Sequence, residues 1–91
     1  MQTSLSAYSM VETNNYPVYR KYHNGLSWFK ITSPATFVEI RKMGSRYLIS
    51  EHETKILPER VMLNDLLYDY SAFAVEIEQA EYDEVERLAS H

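Results

Sequence analysis

The sequence predicts a small two-layer α+β domain whose mixed or antiparallel sheet opens with a β-hairpin and carries its helices on one face. Three observations support this class. Two aromatic and β-branched runs flank Asn24-Gly25, other segments have helix-capping residues at their ends, and each predicted strand has one clearly apolar side. The expected element order is ββαβαβα, with the sheet face opposite the helices left open.

The chain divides into a flexible N-terminal arm at residues 1–15 and a single domain at residues 16–91. The arm is expected because its residues are mostly polar and show no hydrophobic period. One domain is expected because 91 residues supply only one modest core.

Composition narrows the class of protein. The chain has no cysteine, which excludes disulfides and thiolate chemistry. No apolar run approaches the ~20 residues of a membrane helix, and the first residues lack the charged and apolar regions of a signal peptide. We therefore expect a cytoplasmic protein with no membrane partner.

A β-hairpin is predicted around Asn24-Gly25, because both residues tolerate the positive φ that a type I′ turn requires. A two-residue loop places Lys21 opposite Trp28 and Tyr19 opposite Lys30. Alternation then defines two faces. The better core face holds Val18, Arg20, Tyr22, Ser27, Phe29 and Ile31. The other face, expected to be open, holds Tyr19, Lys21, His23, Leu26, Trp28 and Lys30.

Residues 33–44 are predicted to form the first helix. Ser33 can cap it, Pro34 suits its first position and Gly44 can close it in a left-handed conformation. A strand is the alternative, because residues 37–40 are rich in β-formers. The capping residues favour the helix.

The rest of the chain supplies two further strands and two further helices. Residues 46–53 are predicted to form a strand, 58–70 a helix with a wide apolar arc, 72–78 an alternating strand and 79–89 a short acidic helix. The helix at 58–70 has more apolar residues than one packed face needs, which suits a core helix or a dimer contact.

No catalytic or metal-binding motif is present. The three histidines lack metal-ligand spacing, no serine lies in a GxSxG elbow, and the acidic C-terminal cluster lacks the loop pattern of a calcium site. Both glycines are explained by a turn and a helix end. We therefore expect a protein that is not an enzyme, with no metal and no cofactor.

The expected open hairpin face is the candidate binding site, because Tyr19 and Trp28 alternate there with Lys21, Lys30 and His23. Such a surface could stack nucleic-acid bases, form an aromatic protein interface or simply hold cross-strand cation–π pairs. The net charge of −4 disfavours a general nucleic-acid binder.

Charge is divided unequally between the halves of the chain. Residues 1–50 have six Lys/Arg and two Asp/Glu, or +4, whereas residues 51–91 have three and eleven, or −8. This asymmetry predicts a dipolar surface or halves that attract each other.

The sequence therefore favours a small binding or adaptor domain. We expect a protein partner or a homodimer, reached through the hairpin face or a sheet edge. The alternatives are a nucleic-acid-binding accessory protein that uses the same face, and a small enzyme whose site forms between subunits.

Overall fold

The computed structural model describes residues 16–90, where a five-stranded antiparallel sheet carries one helix on each face. The elements are β1 (Val18–Tyr22), β2 (Ser27–Ser33), β3 (Thr36–Met43), β4 (Arg46–Glu53), α1 (Leu57–Tyr68), β5 (Ala74–Glu76) and α2 (Gln79–Ala89). The strand order across the sheet is β4-β3-β2-β1-β5. The predicted α+β class is confirmed. The predicted order ββαβαβα is wrong, and the observed order is ββββαβα. The predicted arm at 1–15 lies outside the described residues.

The first hairpin has the predicted register, but the predicted two-residue loop is wrong: four residues separate β1 from β2, and the Gly25 amide donates to the Tyr22 carbonyl at 2.9 Å. β1 and β2 pair with Lys21 opposite Trp28 and Tyr19 opposite Lys30. Gly25 has a φ of 73°, which a glycine adopts without steric cost. The side chain of Asn24 accepts a hydrogen bond from the Leu26 amide at 2.8 Å.

The predicted helix at residues 33–44 is wrong, because this segment forms a tight turn followed by β3. The Ser33 hydroxyl accepts a hydrogen bond from the Ala35 amide at 3.1 Å, so it closes a turn and does not cap a helix. Gly44, at a φ of 64°, lies in the turn between β3 and β4. Strand β3 then pairs with a neighbour on each side, which suits its β-forming residues.

The later elements match their predictions more closely. Strand β4 and helix α2 have the predicted limits, α1 occupies most of residues 58–70, and β5 is the centre of the strand predicted at 72–78. Before α1, the Glu59 carboxylate accepts the backbone N–H groups of Lys55 and Ile56. This carboxylate therefore satisfies donors just ahead of the helix.

The two helices pack on opposite faces of the sheet, so the prediction that both lie on one face is wrong. The α1 face is centred on a buried cluster of Phe29, Ile31, Phe37, Leu63, Leu66 and Ala74. The α2 face is centred on a second cluster of Tyr19, Trp28, Ile40, Tyr82 and Val85. Strand β2 supplies large residues to both faces, and each face needs a helix to bury them.

Two ion pairs join the basic first half of the chain to the acidic second half. Lys21 Nζ lies 2.7 Å from Glu81 Oε2, and Arg20 Nη1 lies 3.8 Å from Glu76 Oε2. The first connects β1 to α2 and the second connects β1 to β5.

Neither α1 nor α2, the helices of the described region, has the length and apolar character required to cross a membrane.

Candidate functional site: the free edge of the sheet

The hairpin face predicted to be open is covered by α2. Trp28 is only 7% exposed, and its ring centroid lies 6.0 Å from that of Tyr47. The Tyr19 ring lies 5.3 Å from that of Tyr82 on α2. Burial, together with the charges of Asp83 and Glu86, raises the pKa of Tyr19. The prediction of an open face is therefore wrong, because the apolar side of α2 uses these aromatic rings as its packing surface.

The other three predicted site residues lie around this cluster. Lys21 pairs with Glu81 of α2, as described above. His23 is exposed, and its Nε2 lies 3.2 Å from the carbonyl oxygen of Ala74. Lys30 is half-buried. The five residues are neighbours on one face. Two of them, Tyr19 and Trp28, are buried in the cluster beneath α2. A binding role for the five residues stays a prediction.

The most exposed part of the sheet is its β4 edge. β4 has eight residues, none of which is fully buried. The opposite edge strand, β5, has only three residues. Edge strands present unpaired backbone groups, and short edges are one way in which proteins prevent unwanted pairing. The β5 edge is protected in this way and the β4 edge is not.

The backbone groups that point outward from β4 follow from the ladder. The Thr54 amide donates to the Ala35 carbonyl at 2.8 Å, one step beyond the Thr36–Glu53 pair. Hydrogen-bonded pairs alternate in an antiparallel ladder, so the even-numbered residues of β4 bond to β3. The odd-numbered residues therefore direct their N–H and C=O groups to the free edge: Tyr47, Ile49, Glu51 and Glu53.

The centre of β4 is apolar on both faces. Leu48 is exposed on the α1 face, and Ile49, 43% exposed, lies on the α2 face opposite the buried Ile40. The strand contains no proline and no lysine, and its pairing with β3 has no bulge. Proline, lysine and bulges are features that commonly block pairing at a sheet edge. Within residues 16–90, the β4 edge is thus a regular template for another strand, with its charged side chains at the two ends.

Charge is polarised along this edge. The end at the β3–β4 turn carries three basic residues, two on β3 and one on β4. At the far end, the formally charged residues of β4 are both acidic. The basic residues are Arg41, Lys42 and Arg46, and the acidic residues are Glu51 and Glu53. A strand that pairs here therefore meets opposite charge at the two ends of β4.

A polar cluster on the α1 face borders the same edge and is centred on Glu39. Its carboxylate accepts a hydrogen bond from Ser27 Oγ at 3.2 Å and lies 3.5 Å from Arg41 Nε and 4.0 Å from His52 Nε2. The His52 ring stacks on Phe37 with centroids 4.7 Å apart. Burial, then the charge of Glu39, raises the pKa of Tyr22. The local sequence pattern does not reveal this cluster, because it predicts a helix that would contain Glu39 and Arg41.

The hydrogen bonds within the Glu39 cluster limit the reactions that its side chains could catalyse. The Ser27 hydroxyl donates to a carboxylate and not to an imidazole, so it is not the activated nucleophile of a serine hydrolase. Two cavities adjoin the cluster, one of about 110 Å³ beside His52 and one of about 360 Å³ beside Ser27. Among residues 16–90, no group of three or more side chains has a metal-binding arrangement. The contacts within the cluster hold its polar side chains in place on the α1 face beside β4.

A second exposed apolar surface runs along α1. Leu57, Val61 and Tyr68 recur at positions i, i+4 and i+11 of the helix and are all exposed. This outer stripe of α1 accounts for the excess of apolar residues noted in the sequence. Unlike β4, it offers no set of unpaired backbone groups to orient a partner.

Comparison with known proteins adds no family to this description. No protein-family model matches the chain, and neither characterised proteins nor solved structures show significant similarity to it.

Proposed function

We propose that this chain is a non-enzymatic binding domain, and that its partner is a protein segment that adds a strand to the β4 edge. One observation carries the proposal: β4 is an eight-residue, unbulged edge strand whose alternate N–H and C=O groups point away from the sheet. In this mode of recognition, main-chain hydrogen bonds provide affinity and side-chain contacts provide specificity.

The side chains around β4 supply the selective contacts. Leu48 and Ile49 offer apolar area on the two faces of the strand. The basic turn end of β4 favours acidic residues in a partner strand, and the acidic far end favours basic residues. An extended segment with apolar residues at its centre and charges at its ends therefore fits this edge.

The other candidate functions have less support. Nucleic-acid stacking on the face of Tyr19, Lys21, His23, Trp28 and Lys30 needs exposed rings, and Trp28 is only 7% exposed. Catalysis at the Glu39 cluster would need groups from a second subunit, because Ser27 and His52 both face the same carboxylate.

The proposal is tested with a displayed library of random peptides selected on the immobilised protein. Selected peptides are then titrated into labelled protein, and backbone amide shifts are followed by NMR. We expect the largest shifts in β4, and loss of binding in Ile49→Lys. The matched control is Val75→Lys, because Val75 is also a half-exposed edge residue (39%) on the α2 face, but on β5.

Two outcomes would count against strand addition at β4. One is that selected peptides shift the outer stripe of α1 and leave β4 unchanged. The other is that Ile49→Lys and Val75→Lys bind the peptides equally well. Circular dichroism of both variants establishes that each substitution leaves the fold intact.

A further inference from the structure

We infer that the strand received by β4 is the β4 of a second copy of this chain, so that two sheets join into one ten-stranded antiparallel sheet. This inference rests on the proposed function, since it names the occupant of the same edge. It follows from the parity of the outward backbone groups, the charge polarity of the strand and its apolar centre.

Charge selects the antiparallel orientation. In a parallel in-register pair, Arg46 would lie beside its own copy, and Glu51 and Glu53 would lie beside theirs. Like charges directly opposed across strands are destabilising. An antiparallel pair instead separates each charged residue of β4 from its own copy. It also satisfies the two-fold symmetry that most homodimers adopt.

The backbone restricts the register. Residues with outward N–H and C=O groups must lie opposite one another, so the odd-numbered residues of β4 pair with odd-numbered residues of the copy. An axis at Ile49 places Ile49 against Ile49 and Tyr47 against Glu51. It also places Leu48 against Ser50 on the α1 face.

The registers displaced towards the acidic end of β4 are less favourable. An axis at Glu51 sets two carboxylates against each other. An axis at Ser50 sets Glu51 against Ile49, which covers the isoleucine with a charge. The axis at Ile49 buries this half-exposed side chain against its own copy and opposes no two acidic residues.

The opposite edge does not compete for this role. β5 has three residues, and its outer side offers too few backbone groups for a stable ladder. Assembly therefore stops at a dimer, because pairing through β4 consumes the only long free edge in the described part of the sheet. A closed two-fold dimer, and not a fibre, is the expected product.

Sedimentation velocity over a range of protein concentrations tests the dimer. We expect a reversible monomer–dimer equilibrium in the wild type. Ile49→Lys should weaken association by about tenfold or more, since two lysines would face each other at the axis. Val75→Lys should leave it unchanged. A wild type that stays monomeric, or a dimer unaffected by Ile49→Lys, overturns the inference.

Cysteine cross-linking tests the register, and the chain suits it because it has no cysteine of its own. At the proposed axis the two Cα atoms of residue 49 are about 5.5 Å apart, within the range that a disulfide spans. Ile49→Cys should therefore form a covalent dimer on mild oxidation. In Glu53→Cys the two sulfur-bearing residues would be about 27 Å apart along the strands, at ~3.4 Å per residue, and should not cross-link.

The outcomes distinguish this inference from the function on which it rests. Equal cross-linking of Ile49→Cys and Glu53→Cys, or preferred cross-linking of Ser50→Cys, contradicts the proposed register. A monomer that still binds selected peptides at β4 contradicts the dimer and leaves strand addition standing. A monomer that binds no peptide at β4 contradicts both.

Discussion

Arg20 Nε donates a hydrogen bond to the Leu66 carbonyl at 2.8 Å, so a side chain of β1 supplies a donor to a carbonyl in the last turn of α1. The last four carbonyls of a helix have no partner within it. The same guanidinium reaches the Leu67 carbonyl at 3.4 Å and lies 4.0 Å from the centre of the Tyr70 ring. Arg20 is therefore buried with hydrogen bonds to two carbonyls at the end of α1, and it fastens this helix to the sheet.

Lysine cannot reproduce this arrangement, because its ammonium is a point charge and not a planar fork. Arg20→Lys should lower the free energy of unfolding by about 1–3 kcal/mol, the range for hydrogen bonds to charged groups and unsatisfied partners. Denaturant melts measure the loss. Arg60→Lys, an exposed site on α1, is the control and should change stability by less than about 0.5 kcal/mol. Equal melts for both variants would contradict the role of Arg20.

Trp28→Ala should destabilise the fold strongly, because Trp28 is enclosed between the sheet and α2. Truncation of a buried tryptophan typically costs about 3–5 kcal/mol. Leu26→Ala is the matched control, since Leu26 is an exposed residue two positions away on the same face. Far-UV circular dichroism melts compare the two. A small effect of Trp28→Ala would mean that α2 does not cover this face.

Tyr82 should make the protein sensitive to alkali. Burial, then the charge of Glu86, raises the pKa of Tyr82, and its hydroxyl has no hydrogen-bond partner among the described residues. The folded state therefore keeps the phenol proton to a higher pH than the unfolded chain does. The stability contributed by this group is complete below the unfolded pKa of about 10 and is lost as pH rises above that value.

Tyr82→Phe tests this argument. The variant should be as stable as the wild type at neutral pH, or more stable by up to about 1 kcal/mol, because it removes an unsatisfied hydroxyl. Its melts should also lose part of the alkaline destabilisation. A variant that is clearly less stable at neutral pH would show that the hydroxyl has a partner.

Gly25 should tolerate asparagine better than valine. A Cβ at this position would meet no atom within 4 Å, so any cost comes from the backbone φ of 73°. The left-handed conformation costs an ordinary L-residue about 1–2 kcal/mol, whereas asparagine adopts it more readily. Urea midpoints for Gly25→Asn and Gly25→Val should therefore differ. Identical midpoints would contradict the turn geometry.

Local sequence signals predicted the elements whose chemistry is unambiguous. Asn24-Gly25 permits only a few turns, and the limits of β4 and α2 follow from clear breaks in the hydrophobic pattern. The region at 33–44 was mistaken because serine, proline and glycine also suit a tight turn. The choice of β3 depends on partners at residues 27–33 and 46–53, which local pattern does not reveal.

The candidate site depended on the same long-range information. Alternation correctly separated the two faces of the first hairpin, but it could not show that α2 packs on the face of Trp28. A sheet edge was proposed as a binding surface without knowing which strand forms it. Strand order identified β4, and the hydrogen bond from Thr54 to Ala35 identified its outward groups.

Amide hydrogen exchange at β4 tests the central claim most directly. The N–H groups of Tyr47, Ile49 and Glu51 should exchange with little protection in dilute protein, because they point away from the sheet. Their exchange should slow as protein concentration rises, while the inward N–H groups of Leu48 and Ser50 stay protected throughout. Exchange at Tyr47, Ile49 and Glu51 that is unchanged by concentration and by selected peptides would contradict pairing at this edge.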